Sequence, residues 1–212
     1  MNIVILPARS GSKRIKNKNF KSFNGQPMIS YPIKIAKKSG LFDKIYISTD
    51  NIKIKKNYKK YGADDYILRS ENLSNDNTIT KAVIEHAIKK IQNLNIKIDN
   101  VCCIYPCTPF LNTKILLKTY DLLKRNTKKF VYPVVKYSHP IQRALTINKN
   151  NKIKFLNPNN ELTKTQNLKK FYHDAGQFYW ATADTWLKPI NMHSNASGFD
   201  ITDQISIDID NQ

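Results

Sequence analysis

The chain has 212 residues, 41% hydrophobic and 10% aromatic, which suits one globular domain with a sizeable core and excludes a disordered segment. Its 35 Lys and Arg against 16 Asp and Glu leave a formal charge of +19, a balance that ordinarily points to nucleic acid or an anionic surface. The lysines are scattered among Asn and Ile along the whole length without a nucleic-acid reader motif, so AT-rich coding explains much of the excess and no nucleic-acid partner is expected.

Asn2 to Leu6 is a β-branched run with turn chemistry behind it, which predicts a strand. Ser10, Gly11 and Ser12 then let the backbone come close to a ligand and turn its N–H groups toward an anion. Arg9, Lys13, Arg14, Lys16 and Lys18 supply charge where a triphosphate would lie, although taken alone such a run reads as a solvated basic edge. Neither the Walker spacing nor Gly-x-Gly-x-x-Gly is present. Ile29, Ile33 and Ala36 at helical spacing, with Pro32 in the first turn and Gly40 as terminator, predict a helix over 29–38. Lys44 to Ser48 is a second strand, and Thr49-Asp50-Asn51 offers a cap for a Lys-rich helix running to Tyr61 and ended by Gly62.

Asp65 to Leu68 reads as a short strand, and the recurrence of Ile79, Val83, Ala87 and Ile91 predicts an amphipathic helix over 78–94. Val101 to Tyr105 is apolar throughout, like a central parallel strand covered on both faces. A helix over 112–125 and a strand over 130–135 follow. The alternation predicts a mostly parallel, three-layer α/β/α sheet of Rossmann-like type in a single domain, 1–212. Ala144–Ile147 and Lys152–Leu156, joined by Asn-Lys-Asn-Asn, predict a β-hairpin within an excursion of about residues 138–172. The three cysteines, Cys102, Cys103 and Cys107, fit neither a disulfide framework nor a zinc spacing and are expected to be reduced. The first apolar run is too short for a signal peptide, and no stretch approaches the roughly 20 apolar residues that cross a bilayer, so a soluble cytoplasmic protein with no membrane partner is expected.

Three segments carry further chemistry. Tyr105-Pro106-Cys107-Thr108-Pro109-Phe110 follows the central strand, and ligands bind at such strand ends in open α/β sheets. Tyr172 to Trp180 offers donors, acceptors and aromatic faces, with Trp180 expected in the core and His173 more a hydrogen-bonded structural residue than a base. Asp208 and Asp210 stand two apart between isoleucines. On a strand they share a face and can reach one hard cation, although an ordinary edge strand would look the same.

Pro7, Ala8, Arg9, Gly11, Ser12, Lys13, Ile15, Lys18 and Asn19 together resemble the opening signature of the CMP-sugar-acid synthetases, which include the CMP-sialic acid and CMP-Kdo synthetases. The segment from Arg69 through Leu73 and Ser74 to Asp76, the Tyr105 segment and the terminal Asp-x-Asp resemble the same family in the same order. Lys16 and Ser70 stand where that family carries Pro, and Tyr105 where it carries Gln. Together with Tyr105-Pro106-Cys107 and Pro140-Ile141-Gln142-Arg143-Ala144, the Tyr172 cluster resembles the pseudaminic acid cytidylyltransferase subgroup.

The resemblance implies a nucleotidyltransferase fold whose excursion reaches a second subunit in a homodimer with a shared active site. It implies nucleotide contacts from Ala8, Arg9, Ser10, Gly11, Ser12, Lys13, Lys18, Asn19, Arg69 and Ser74, with Arg9, Lys13 and Lys18 catalytic. It implies sugar contacts from Tyr105, Gln142, Arg143, His173, Asp174, Gln177 and Phe178, with Phe178 and Tyr179 packed against acyl methyls. Asp208 and Asp210 would hold Mg²⁺, in a family that normally runs on into an acidic helix beyond the position of Gln212. The implied reaction transfers CMP from CTP to the anomeric hydroxyl of pseudaminic acid, for surface glycan or flagellin glycosylation. The alternatives are the same reaction on legionaminic acid, N-acetylneuraminic acid or Kdo, and, from another class, a basic nucleic-acid-binding protein. No residue identifies itself as a general base.

Overall fold

A computed structural model describes residues 1–11 and 15–201, so expectations on Ser12, Lys13, Arg14, Asp208 and Asp210 lie outside the described residues. In chain order the elements are β1 (Asn2–Pro7), β2 (Ser22–Phe23), β3 (Gln26–Pro27), α1 (Ser30–Ser39), β4 (Lys44–Thr49), α2 (Ile54–Asn57), β5 (Asp65–Leu68), α3 (Thr80–Gln92) and β6 (Asn100–Ile104). They continue with α4 (Thr113–Arg125), β7 (Phe130–Lys136), β8 (Leu145–Ile147), β9 (Ile153–Phe155), β10 (Tyr172–Asp174), β11 (Phe178–Thr182), α5 (Ala183–Leu187) and β12 (Ala196–Ile201).

The apolar strands form one twisted sheet. β1 lies parallel between β4 and β6, and β5 extends the sheet beyond β4. β7 and β12 are parallel to each other. β11 is the reversed strand between β6 and β7, antiparallel to β6 with Phe178 opposite Ile104, while β10 runs antiparallel to β7 with Asp174 opposite Val134. The sheet is therefore mostly parallel, as expected, with one inserted antiparallel segment. Gly176, at φ 63, lets the chain jog between the two halves, a conformation that costs glycine least.

Alternation along the strands feeds two cores. Leu6, Ile33, Ile47, Leu116, Phe178 and Trp180 bury one face under α1 and α4. Ile5, Ile84, Ile88, Val101, Tyr179 and Trp186 bury the other under α3 and α5. Trp180 is fully buried, stacked on Phe42 at 5.0 Å and tilted against Tyr120 at 5.1 Å. A side chain of that size removes about 200 Å² from water, worth about 5 kcal/mol at about 25 cal/mol per Å².

Most predicted elements appear within a residue or two of their expected ends. Gly40 closes α1 in the left-handed region at φ 67, and the Asn112 side chain caps α4 by accepting from the Lys114 N–H. The Lys-rich helix expected to run to Tyr61 is instead the short α2 followed by a 3-10 turn over Tyr58–Tyr61, ended by Gly62 at φ 94. Lys55, Lys56, Lys59 and Lys60 repel at helical spacing, and within α2 Ile54 alone is buried, so little packing supports a longer helix. The expected hairpin forms as β8–β9, with Leu145 opposite Phe155. Cys102 and Cys103 are free and buried in β6. Among the described residues no helix is long and apolar enough to cross a membrane.

Candidate active site

Parallel strands deliver their carboxyl ends to one edge of a sheet, and loops there line a crevice. A cleft of about 310 Å³ opens at that edge, walled by Arg9, Lys18 and Asn19 from the loop after β1, Arg69 and Asp76 after β5, Thr80 on α3, and Tyr105 after β6.

The loop after β1 is held from below. The Ala8 N–H donates to the Ser48 carbonyl at 2.8 Å, and the buried Asn19 side-chain amide donates to the Arg9 carbonyl at 2.8 Å. The Ser10 N–H and Oγ each donate to one oxygen of Asp50, both at 2.8 Å. Ser10 thus fastens the loop to the end of β4. The Arg9 guanidinium pairs with Asp76 Oδ1 at 2.7 Å and lies 3.5 Å from the Ser74 carbonyl, joining the loops after β1 and β5 across the cleft.

Arg69 is 8% exposed, and its backbone N–H donates to the Thr49 carbonyl at 3.0 Å. Burial pulls the pKa of its guanidinium down. Nearby Asp50 opposes that shift and Arg9 adds to it. Its Nε has no hydrogen-bond partner among the described residues. Sequestering a cation costs several kcal/mol unless it is compensated. A buried, incompletely satisfied guanidinium on a cleft wall is a ready receptor for phosphate or carbonyl oxygens.

A second cavity of about 370 Å³ adjoins the first and shares Thr78, Thr80 and Tyr105 with it. Its remaining walls are Ile79, Lys81, Tyr179 and the segment Ile190–His193, a mixture of apolar surface and polar tips. The Tyr105 hydroxyl lies 2.8 Å from Thr80 Oγ1, and its ring meets Tyr179 edge-on at 5.5 Å. The Tyr179 hydroxyl donates to Asp174 Oδ2 at 2.7 Å, while the Gly176 N–H donates to Asp174 Oδ1 at 2.8 Å. Burial pushes both the Tyr105 and Tyr179 phenols above the ordinary range, so both stay protonated. His193 hydrogen-bonds Tyr132 at 3.1 Å and stands 4.0 Å from Asp174.

Arg9, Lys18, Asn19, Arg69 and Tyr105 are thus gathered around one cleft, with Asp174 and the buried Gln177 behind Tyr105. The Gln177 carbonyl accepts from the Tyr105 N–H at 2.9 Å. Other expected site residues fall elsewhere. Phe178 is fully buried in the core under α1 and α4, because strand alternation turns it away from the cleft that Tyr179 lines. Ala8 is fully buried with its N–H spent on β4, and Ser10 is committed to Asp50. Ser74 faces the cleft side only through the carbonyl near Arg9, its hydroxyl donating to the Ser70 carbonyl. His173 is exposed, its ring against Tyr137 at 5.0 Å. Gln142 and Arg143 belong to the excursion, where Gln142 donates to the Lys169 carbonyl and Arg143 to the Glu161 carbonyl. Neither lines the cleft of its own chain. Asp50, Thr80 and the Ile190–His193 wall carry no site motif of their own, and only the fold brings them to the site; Asp76 ends the Arg69 segment, and the fold sets it against Arg9.

Among the described residues no group of three or more His, Cys, Asp or Glu is placed to hold a metal ion, so the metal expectation rests on Asp208 and Asp210. Their two carboxylates are hard oxygen donors of the kind that suits Mg²⁺ alongside phosphate oxygens.

Residues 3–195 match the protein family described as cytidylyltransferase. The chain is 41% identical over 187 residues to the pseudaminic acid cytidylyltransferase of Campylobacter jejuni, covering 88% of this chain and 81% of that one. It is 30% identical over 129 residues to the CMP-N,N'-diacetyllegionaminic acid synthase of Legionella pneumophila, covering 61% of this chain and 56% of that one. A solved CMP:2-keto-3-deoxy-manno-octonic acid synthetase complexed with CTP superposes with a TM-score of 0.69 at 14% identity, over 95% of this chain and 90% of that one. That likeness carries the fold, a nucleotidyltransferase α/β sheet.

Proposed function

The chain belongs to the cytidylyltransferase family, and we propose that it transfers CMP from CTP to the C2 hydroxyl of pseudaminic acid, releasing pyrophosphate. The observation that carries this reading is the 88% coverage at 41% identity with the C. jejuni enzyme. The two cavities suit two substrates that react where they touch. The first, with Arg9, Lys18 and Arg69, fits a triphosphate. The second, with Ile79, Ile190 and Met192 set among polar side chains that include Lys81, Asn191 and His193, fits a deoxy sugar acid bearing acylamino groups.

The acceptor oxygen forms a bond to the α-phosphorus, and the bond to the β-phosphate oxygen breaks, its electron pair leaving with pyrophosphate. The protein's share is alignment and charge neutralisation. Arg9, Lys13, Lys18 and Arg69 would hold phosphate oxygens, and Asn19 would fix the loop. Asp208 and Asp210 would hold Mg²⁺, which when bound screens the triphosphate charge. The product would serve surface glycan or flagellin glycosylation, with the reaction in the cytoplasm where CTP is made.

The test is pyrophosphate release from CTP and Mg²⁺ with pseudaminic, legionaminic and N-acetylneuraminic acids side by side. Turnover is expected with pseudaminic acid and at least about 100-fold lower kcat/KM with the other two, as hydrogen-bond-matched sites discriminate. Equal or better turnover with either of the others would reassign the acceptor.

The excursion exposes Ile147, Ile153, Leu156 and Leu162 at 65% or more, an apolar run that a second copy would cover. A homodimer in which Gln142 and Arg143 enter the partner's site accounts for their distance from the cleft of their own chain. Sedimentation should give a species of twice 24.5 kDa, and Ile147→Asp with Leu156→Asp should halve it. A wild-type monomer at micromolar concentration would remove the shared site.

A further inference from the structure

We infer that Tyr105, Tyr179 and Asp174, with Thr80 hydrogen-bonded to Tyr105 at their head, form a relay that carries the acceptor's proton out of the active site. The inference rests on the reading above, in which the sugar acid occupies the second cavity and CTP the first.

Its starting point is position. Tyr105 and Thr80 line both cavities, so their hydroxyls stand where an acceptor hydroxyl in one must meet the α-phosphate in the other. From that junction polar atoms lead inward. Thr80 Oγ1 lies 2.8 Å from the Tyr105 hydroxyl, the Tyr105 ring meets the Tyr179 ring edge-on with centroids 5.5 Å apart, and Tyr179 donates to Asp174 Oδ2 at 2.7 Å.

Donor rules fix the direction. An ionised carboxylate only accepts, so the Tyr179 proton points at Asp174 and its oxygen lone pairs remain for Tyr105. Tyr105 can then donate to Tyr179 while accepting from Thr80 and from the acceptor hydroxyl. The second oxygen of Asp174 accepts from the Gly176 N–H at 2.8 Å, which holds the carboxylate in this orientation. The left-handed Gly176 makes that contact possible. The titratable groups facing Asp174 are Tyr179 on β11, Tyr132 on β7, Tyr105 after β6 and His193 at 4.0 Å. All are neutral or cationic, and none competes with it as an anion.

Both phenols are held protonated by burial, so they pass a proton on rather than store a charge. As the new oxygen–phosphorus bond forms, the acceptor proton goes to the Tyr105 oxygen, the Tyr105 proton to Tyr179, and the Tyr179 proton to Asp174. The electron pair of the broken phosphoanhydride bond leaves with pyrophosphate, so charge and atoms balance. Asp174 is 28% exposed and can return its proton to water. A carboxylate also takes the hydroxyl proton in kinase phosphoryl transfer. Tyr105 is the catalytic residue in this scheme. Tyr179 and Asp174 act through it as positioning residues.

The experiment compares wild type with Tyr179→Phe, Asp174→Asn and Asp174→Glu, with single-turnover rates measured in H₂O and D₂O. Tyr179→Phe and Asp174→Asn should each lower kcat about 100-fold or more, within the range for a lost acid–base path. CTP affinity, measured separately by calorimetry, should hold within about twofold. The wild-type solvent isotope effect should vary non-linearly with the deuterium fraction, as several protons in flight require, and Tyr179→Phe should make it linear. Asp174→Glu should recover part of the rate. Wild-type kcat and an unchanged isotope effect in Tyr179→Phe and Asp174→Asn, in variants that bind CTP, would overturn the relay and leave the cytidylyltransferase reading standing. Absence of wild-type turnover with every sugar acid would instead overturn that reading, and the relay with it.

Discussion

Arg69→Met is expected to cost about 10- to 10,000-fold in kcat/KM for CTP while leaving the protein as stable as wild type or more so. The guanidinium is 8% exposed, its Nε lacks a partner among the described residues, and burial already depresses its pKa. Replacing a buried, poorly compensated charge with an apolar group of similar volume is neutral or stabilising. The same group facing the triphosphate would make one or two charge-assisted hydrogen bonds, each worth about 1.5–3 kcal/mol, hence the kinetic range. Stability and activity should therefore move apart, as they do where a site stores a cost that the ligand relieves. Urea unfolding beside steady-state kinetics tests this. A variant that unfolds more easily and binds CTP normally would make Arg69 a structural cation held by Asp50.

That divergence also separates what could be read in the sequence from what could not. β1, β4 and β6 were legible because a strand covered on both faces is continuously apolar, and Gly40 and Gly62 announced where the helical segments between them end. β11 was not. Phe178 to Ala181 is apolar on both faces, and its antiparallel direction is set by β6 and β7 on either side. Reading Phe178 beside the sugar failed for the same reason, since only the register decides that Tyr179 faces the cavity. The cleft cations carried a local signal in their spacing around Gly11. Their supports, Asp50 under Ser10 and Asp76 against Arg9, come from different strand ends, and although Asp76 ends the Arg69 segment, neither pairing shows along the chain. The second cavity closes with Ile190–His193, a segment whose role exists only because the chain after α5 returns over Tyr179.

Removal of divalent metal should stop the reaction, and Asp210→Asn should come close to doing so. Asp208 and Asp210 alternate with isoleucines, the pattern that sets two carboxylates on one face of a strand with apolar anchors between them. Two such oxygens suffice for Mg²⁺, which keeps waters and takes its other ligands from phosphates. The chain's positive charge does not make the ion redundant. Arg9 is already paired with Asp76, and Arg69 stands near Asp50, so part of the cleft's cationic charge is spent within the protein. Neutralising either aspartate should cost several kcal/mol of transition-state stabilisation, about 1,000-fold in kcat, while CTP binding falls far less because the basic loop remains. Excess chelator should bring pyrophosphate release to background, and added Mg²⁺ should restore it. Turnover that survives the chelator, or Asp210→Asn within about threefold of wild type, would mean that the cations of the loop after β1 neutralise the triphosphate unaided. The terminal carboxylates would then be an ordinary solvated edge.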